Sequence, residues 1–268
     1  MYYGTCFVKD PRSIPCRDEQ NTNDLWVVVA TAKGGTVLAA RTAVDLGRGC
    51  GLCVGYGHRP SGNWPPVVEY NPTYKSDVLL ALANMKDWPK YAAQHGGRVR
   101  CVVLTRHPLK KFISLYTYSL AGGEYGLRQL SVELKALHPI DLPKSVDHLF
   151  RTIGNKTLVD GLDYQQMSLS RPDCIQIKYE DLEKDFDSAM RVWIKQWGVT
   201  DPAIQQHMLT FAGKHDLKKK SKEALAKEHH TSKKSISKAQ LAEIEKVVLS
   251  HPELGYLIKS QAQQMGYV

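Results

Sequence analysis

A glycine-rich segment follows the first strongly apolar run of the chain. Residues 31–36 read TAKGGT, between the apolar run LWVVVA at 25–30 and the helix-favouring stretch VLAARTAVDLGRG at 37–49. Glycines let backbone N–H groups wrap around an anion, and a helix N-terminus attracts negative charge. Lys33 adds a positive charge and Thr36 a hydroxyl. The segment therefore predicts a P-loop-like anion-binding loop, although its lysine precedes the glycines and so breaks the Walker A order.

Two further sets of polar residues follow later apolar runs. Arg106 ends the segment RVRCVVLTR, and Ser114 lies eight residues further on. A guanidinium fork and a hydroxyl suit a phosphate monoester, and an arginine paired with a surface carboxylate is the alternative. Tyr179 opens the segment YEDL after the run CIQIK, and its ring can flank an adenine. Because ligands of parallel α/β sheets collect at the carboxyl ends of strands, we expect Arg106 and the Lys33 loop in one crevice.

Taken in order, KGGT, R-x7-S and YEDL resemble the motifs of the PAPS-dependent sulfotransferase family, and the ending SISKAQLAEIEKVV with MGY is similar to the family's C-terminal helix and finish. The resemblance extends from about Leu25 to the end of the chain. It implies sulfuryl transfer from PAPS, with PAP as product, to a hydroxyl or amine of a small-molecule or carbohydrate acceptor. The chain departs from the family at Gly34, Leu38 and His107, where Ser or Thr, Trp, and Asp or Asn are common.

The resemblance also implies roles for individual residues. The 5′-phosphosulfate is expected on the loop and the first residues of the helix, namely Ala32, Lys33, Gly34, Gly35, Thr36 and Val37. Arg106 and Ser114 are expected to bind the 3′-phosphate. Lys233 and Lys234, in the basic segment before the last helix, are candidates to close over that phosphate. The acceptor is expected along the helical region from Tyr116 to Ser170.

The general base stays open between two residues. His58 follows the second predicted strand, and Glu69 ends the third. A histidine is better matched to proton transfer near neutral pH, which favours His58. With Lys33, which would stabilise charge on the leaving phosphate, these residues form the predicted catalytic set. The sequence shows no cluster typical of a metal site.

Apolar runs that alternate with helical patterns predict a single α/β domain from residue 25 to 268, with a largely parallel sheet flanked by helices and an irregular arm over residues 1–24. The strands are predicted at 25–30, 51–57, 67–70, 98–105 and 174–178. A helix is predicted from Ser76 or Asp77 to about Met85, and another over 88–95. Ser237 is predicted to cap the last long helix.

Charge limits the classes of partner. The net charge is +9, and +6 of it comes from residues 214–238, which hold nine lysines and three acidic residues. This basic stretch suits an anionic partner, but it contains no arginine, which argues against sequence-specific nucleic acid binding. Two alternatives to a sulfotransferase remain: a nucleotide-dependent kinase, and a non-catalytic protein that binds nucleotides or polyanions.

Cysteine usage and hydropathy bear on the compartment. Six cysteines are too few for a dense disulfide framework in 268 residues, so the sequence predicts reduced thiols and a cytoplasmic location. Cys50 and Cys53 form a CxxC pair without the further ligands of a zinc site, and are expected to be half-buried thiols. No run approaches the roughly 18 apolar residues that a membrane span needs.

Overall fold

The computed structural model of the chain describes residues 3–6, 10–17, 23–56, 68–69, 77–82, 86–122, 128–216, 218–221 and 236–267. The chain divides into two compact units. The first unit comprises Met1–Thr105 and Asp163–Lys220, and the second comprises Arg106–Leu162 and Ser221–Val268.

The strands lie in the first unit. Their bounds are β1 Tyr3–Cys6, β2 Leu25–Ala30, β3 Cys53–Tyr56, β4 Val68–Glu69, β5 Val78–Leu82, β6 Val99–Thr105 and β7 Cys174–Lys178. These seven described strands form one sheet in the order β4-β1-β3-β5-β2-β6-β7. Neighbours are parallel from β3 to β7, whereas β1 runs antiparallel to both β3 and β4. The prediction of an α/β fold with a largely parallel sheet is confirmed.

Helices cover both faces of this sheet. The α-helices in the described residues are α1 Thr36–Gly49, α2 Trp88–His95, α3 Pro108–Leu120, α4 Arg128–Leu137, α5 Leu142–Leu149, α6 Asn155–Leu169, α7 Tyr179–Lys184, α8 Phe186–Gln196, α9 Pro202–Ala212, α10 Lys238–Ser250 and α11 Pro252–Gln264. Alternate residues of β2 point to opposite faces. Trp26 and Val28 pack in the cluster formed with α1, α8 and α9, and Val27 and Val29 pack with Trp88 of α2. Burial on both faces explains why β2 is a continuous apolar run.

Residues 78–82 correct one prediction. The segment VLLAL forms strand β5 between β3 and β2, where the sequence predicted a helix that begins at Ser76 or Asp77. Its first four residues are buried. A short and wholly apolar run shows no hydrophobic periodicity, so the sequence alone does not distinguish a strand from a buried helix. Here the segment forms a strand because it lies in the centre of the sheet.

The structures of the N-terminal region and of the cysteines correct two more predictions. Tyr3–Cys6, in the predicted irregular arm, form strand β1, which lies between β4 and β3. The six cysteines are all described and form three disulfides, Cys6–Cys53, Cys16–Cys50 and Cys101–Cys174. The prediction of reduced thiols, including the pair Cys50 and Cys53, is therefore wrong. The partners are 34 to 73 residues apart in sequence and meet only through tertiary structure, which cysteine spacing alone does not show.

The described part of the second unit is helical. Helices α3, α4, α5, α10 and α11 and the beginning of α6 enclose a core that includes Phe112, Leu134, Val146 and Ile244. Ser237 caps α10 in a complete capping box with Gln240, as the sequence predicted. No helix in the described ranges is long and apolar enough to cross a membrane.

Candidate functional site

The loop between β2 and α1 has a compact and unusual backbone. The N–H of Gly34 donates to the carbonyl oxygen of Thr31 at 2.9 Å, and the Thr36 hydroxyl donates to the same oxygen at 2.6 Å. Lys33 has a φ of 58°, in the left-handed region. For a non-glycine residue this conformation costs roughly 1–2 kcal/mol, and such strain concentrates at functional sites. The loop thus holds a half-buried lysine in a conformation that its own backbone disfavours.

Both glycines of the loop are required by close packing. A Cβ atom on Gly34 would lie 2.7 Å from Oγ1 of Thr31. A Cβ atom on Gly35 would lie 2.8 Å from Cδ2 of Leu104 and 2.8 Å from Cδ2 of Tyr179, and Gly35 also has a φ of 96°. The loop therefore packs tightly between β6 and the residue that follows β7, with no room for larger side chains.

The N-terminus of α1 is suited to an anion. Gly35 is its N-cap residue, so no side chain caps the helix, and its first turn contains no acidic residue. Oγ1 of Thr31 is buried without a hydrogen-bond partner. An uncapped helix N-terminus, a lysine and a buried hydroxyl group at one loop fit a phosphate or sulfate ester. The sequence placed Thr31 in the predicted loop TAKGGT but assigned no role to its side chain.

Among the described residues, Tyr179 is an aromatic residue that contacts this loop. It directly follows β7 and begins α7, whose first turn carries Glu180 and Asp181. Its ring is half-buried and lies against Gly35. The structure thus brings together the Lys33 loop and Tyr179, which are about 145 positions apart in the sequence, because β2, β6 and β7 are adjacent parallel strands whose carboxyl ends share one edge.

In the second unit, Arg106 precedes α3 and Ser114 lies in the second turn of that helix. Arg106 directly precedes the N-cap residue, His107, and Ser114 is half-buried within the helix. Nδ1 of His107 accepts from the backbone N–H of Leu109 at 3.2 Å. This histidine therefore caps the helix as Asp or Asn would, and its ring meets the edge of Tyr267 at a centroid distance of 5.2 Å.

A buried lysine also lies in the first turns of α3. Lys111 is 3% exposed, whereas its neighbour Lys110 is exposed. Burial lowers the pKa of Lys111 to about 8. Sequence reasoning missed this residue. The available signal was its spacing, since Lys111 lies four positions before Leu115 on a helix and so takes a core-facing position.

The structure describes only one of the remaining predicted site residues. His58, Lys233 and Lys234 lie outside the described residues. Glu69 ends β4, where its backbone pairs with Tyr3 of β1. The choice of general base therefore stays a prediction.

The basic stretch begins with a buried ionic cluster in the first unit. Asp45 of α1 accepts hydrogen bonds from His215 at 2.6 Å and pairs with Lys214 at 2.7 Å. Burial opposes ionisation of Asp45, but the contacts with His215 and Lys214 hold its pKa below the ordinary value. Lys219 in turn pairs with Asp187 at 3.1 Å. These lysines of the basic stretch are engaged within the fold, so not all of its charge faces a partner.

The second unit also contains an open groove of about 470 Å³. It is lined by Leu120, Ala121, Lys135, His138, Pro139, Ile236 and Gln240. Behind it, the Tyr116 hydroxyl bonds to Nδ1 of His138 at 3.0 Å and to the Ser145 hydroxyl at 2.8 Å. Partial burial lowers the pKa of His138, which favours the neutral ring. The groove thus combines apolar walls with one lysine and one fixed imidazole.

Comparisons with known proteins complete the description. No protein-family model matches the chain, and no curated protein matches it. Among solved structures it is similar to mouse sulfotransferase SULT7A1 complexed with PAP, with 12% identity and a TM-score of 0.48 over 91% of this chain and 90% of that one. A likeness at this identity and score assigns neither an activity nor a ligand to the chain.

Proposed function

We propose that the chain is a PAPS-dependent sulfotransferase that transfers a sulfuryl group to a hydroxyl or amine. The observation that carries the proposal is the loop of residues 31–36. It combines a strained Lys33, two glycines that leave no room for a Cβ atom, and an uncapped helix N-terminus. The order of the three sequence motifs supports the same function. The resemblance to PAPS-dependent sulfotransferases implies that PAPS is the donor.

Donor binding is proposed to use the residues that the resemblance implies. In the first unit, the loop and the start of α1 bind the 5′-phosphosulfate, and Tyr179 flanks the adenine. In the second unit, Arg106 and Ser114 bind the 3′-phosphate. The basic residues Lys233 and Lys234 are proposed to add to the binding of that phosphate.

The proposed mechanism assigns each proton and charge to a residue. The donor supplies an activated sulfuryl group, whose bond from sulfur to the 5′-phosphate oxygen breaks as the acceptor oxygen or nitrogen bonds to sulfur. His58 or Glu69 removes the acceptor proton. Lys33 and the N-terminus of α1 stabilise the negative charge that develops on the leaving phosphate. Since positioning and charge stabilisation supply the rate, a small displacement of the loop should lower turnover strongly.

The groove of the second unit is the proposed acceptor surface. It includes residues from the region that the sequence assigned to the acceptor, such as Leu120 and His138. Apolar walls with few fixed polar groups are typical of sites for small organic molecules. We therefore propose a small acceptor with an apolar body, while a carbohydrate remains the second acceptor class.

The disulfides change the proposed compartment. Three disulfides join the six cysteines, and such bonds persist in oxidising environments and are rare in the cytosol. We therefore propose that the protein works in an oxidising compartment, in place of the cytoplasmic location predicted from the sequence.

Ligand comparison and turnover test the proposal. PAP and 5′-AMP differ only in the 3′-phosphate, so PAP should raise the melting temperature more than 5′-AMP or ATP does. Labelled PAPS incubated with an acceptor panel should lose sulfate to at least one acceptor. Transfer of a labelled phosphate from ATP would instead identify a kinase. Binding of PAP without sulfate loss to any acceptor would leave a non-catalytic nucleotide-binding protein, and equal shifts for PAP and 5′-AMP would reject the 3′-phosphate site.

A further inference from the structure

Lys111 is a buried cation without a compensating charge. It is 3% exposed, and its side chain makes no hydrogen bond or ion pair with the described residues. An ammonium group taken out of water and left unpaired costs several kcal/mol, unless it loses its proton or meets an anion. Lys110, the preceding residue, is exposed, so its charged group stays in water and carries no such cost. A contribution to solubility therefore does not explain why Lys111 is buried.

The position of Lys111 directs its side chain toward the start of α3. It is the fourth residue of the helix, and its backbone N–H donates to the carbonyl oxygen of His107 at 2.9 Å. Side chains on a helix lean toward its N-terminus, which in α3 is the end that follows Arg106. Ser114 lies three residues further on and is a neighbour on the helix surface. The first turn contains no acidic residue.

No described carboxylate pairs with Lys111. Helices α4, α10 and α11 pack against α3, and α5 and residues 150–154, which carry Lys144, Asp147, His148 and Arg151, contact it at Ser145 and Gly154. The described charged and titratable groups on α4, α10 and α11 and on α3 itself are Arg128, Glu133, Lys135, Lys238, Glu243, Glu245, Lys246, Glu253, Tyr256, Lys259, Lys110, Tyr116 and Tyr118. Glu133 is bonded to His148, and Glu253 to Arg151. None of these groups perturbs Lys111, because burial is the whole cause of its lowered pKa.

We propose that Lys111 is a second cationic group, beside Arg106, of the anion site at the start of α3 and binds the same phosphate monoester as Arg106 and Ser114. This inference rests on the proposed function, since it takes the 3′-phosphate of PAP as the ligand. A dianion beside a buried ammonium favours its charged form. Lys111 should therefore take up a proton when the ligand binds above about pH 8.

The test is calorimetric titration of the full chain with PAP at about pH 9, in two buffers with different ionisation enthalpies. The wild-type protein should take up a fraction of a proton on binding. Lys111→Met should take up almost none and should bind PAP roughly tenfold to a hundredfold more weakly, as expected for loss of a charge-assisted contact. Lys110→Met is the matched control and should behave as the wild type. Methionine fits the buried position, so the unliganded variant should melt no lower than the wild type.

Two further ligands separate the failure of this inference from the failure of the proposed function. Affinity for 5′-AMP, which lacks the 3′-phosphate, should be equal in the wild type and Lys111→Met. Unchanged PAP affinity and proton uptake in Lys111→Met would overturn the role of Lys111 and leave the proposed function intact. If PAP does not bind the wild type at all, the proposed function fails. In that case, stabilisation by inorganic phosphate that Lys111→Met abolishes would still support the anion site, and its absence would overturn both.

Discussion

The ring of Tyr179 lies against Gly35, so close that a Cβ atom at position 35 would stand 2.8 Å from Cδ2 of the ring. Tyr179 follows β7 and Gly35 follows β2, and β6 lies between these strands. The contact links the first residue of the YEDL motif to the glycine loop of residues 31–36. The close approach, together with the φ of 96° at Gly35, makes this glycine the position at which the loop geometry is most easily tested.

Gly35→Ala should destabilise the protein and abolish PAP binding. The left-handed backbone costs an alanine roughly 1–2 kcal/mol, and overpacking against Tyr179 and Leu104 adds roughly 1–3 kcal/mol. Urea denaturation and PAP titration measure the two effects.

Gly96→Ala is the matched control for this change. Gly96 has a φ of 76°, but no atom lies within 4 Å of the place where its Cβ would stand. It should therefore show the backbone cost alone and keep PAP affinity. If Gly35→Ala proved as stable as Gly96→Ala, the packing of Tyr179 on the loop would be rejected.

The sequence predicted the parts of the fold that local patterns determine. LWVVVA and RVRCVVLT form β2 and β6, and Ser237 caps α10, because apolar runs and caps are local signals. The strand at 78–82 was missed because VLLAL reads equally as a buried helix until its neighbours in the sheet are known. Lysine is mostly exposed, so composition gave no reason to expect the burial of Lys111.

Lys33→Ala and Lys33→Gly should separate the charge of the lysine from the strain of its backbone. Both remove the ammonium group and should lower kcat by roughly a hundredfold or more with a smaller effect on donor binding, because charge at the leaving oxygen is greatest in the transition state. At a φ of 58°, however, glycine is unstrained and alanine is not. Lys33→Gly should therefore be more stable than Lys33→Ala by roughly 1 kcal/mol.

Steady-state kinetics and urea denaturation of both variants check this prediction. Lys33→Arg, which keeps the charge, is the control and should retain more activity than either. A raised KM with unchanged kcat would make Lys33 a docking residue, and equal stability of the two variants would argue against strain at this position.

Asp45 should make the stability of the first unit sensitive to acid. Its contacts with His215 and Lys214 depress its pKa in the folded state. The stability from these contacts is present above the pKa of an unfolded aspartate, about 4, and is lost as the pH falls through the folded value. Asp45→Asn should cost roughly 1.5–3 kcal/mol at neutral pH, and its difference from the wild type should shrink below about pH 4.

Melting temperatures of the wild type and Asp45→Asn across this pH range provide the measurement. Asp187→Asn is the control, because Asp187 pairs with Lys219 at an exposed position, where an ion pair contributes little. A constant difference between the wild type and Asp45→Asn at all pH values would show that the ionised carboxylate is not the stabilising group.

The general base should be His58, and paired variants can decide between it and Glu69. His58→Ala should lower turnover by roughly a hundredfold or more while PAP affinity stays nearly unchanged, because removal of a general base affects the chemical step. It should also remove the limb of the pH profile near 6.5, where a histidine ordinarily titrates, whereas a glutamate titrates near 4.3 unless burial raises its pKa. Glu69→Gln should be milder. PAP titration of both variants confirms that each is folded. A fully active His58→Ala protein rejects the assignment, and an inactive Glu69→Gln protein that still binds PAP transfers the role to Glu69.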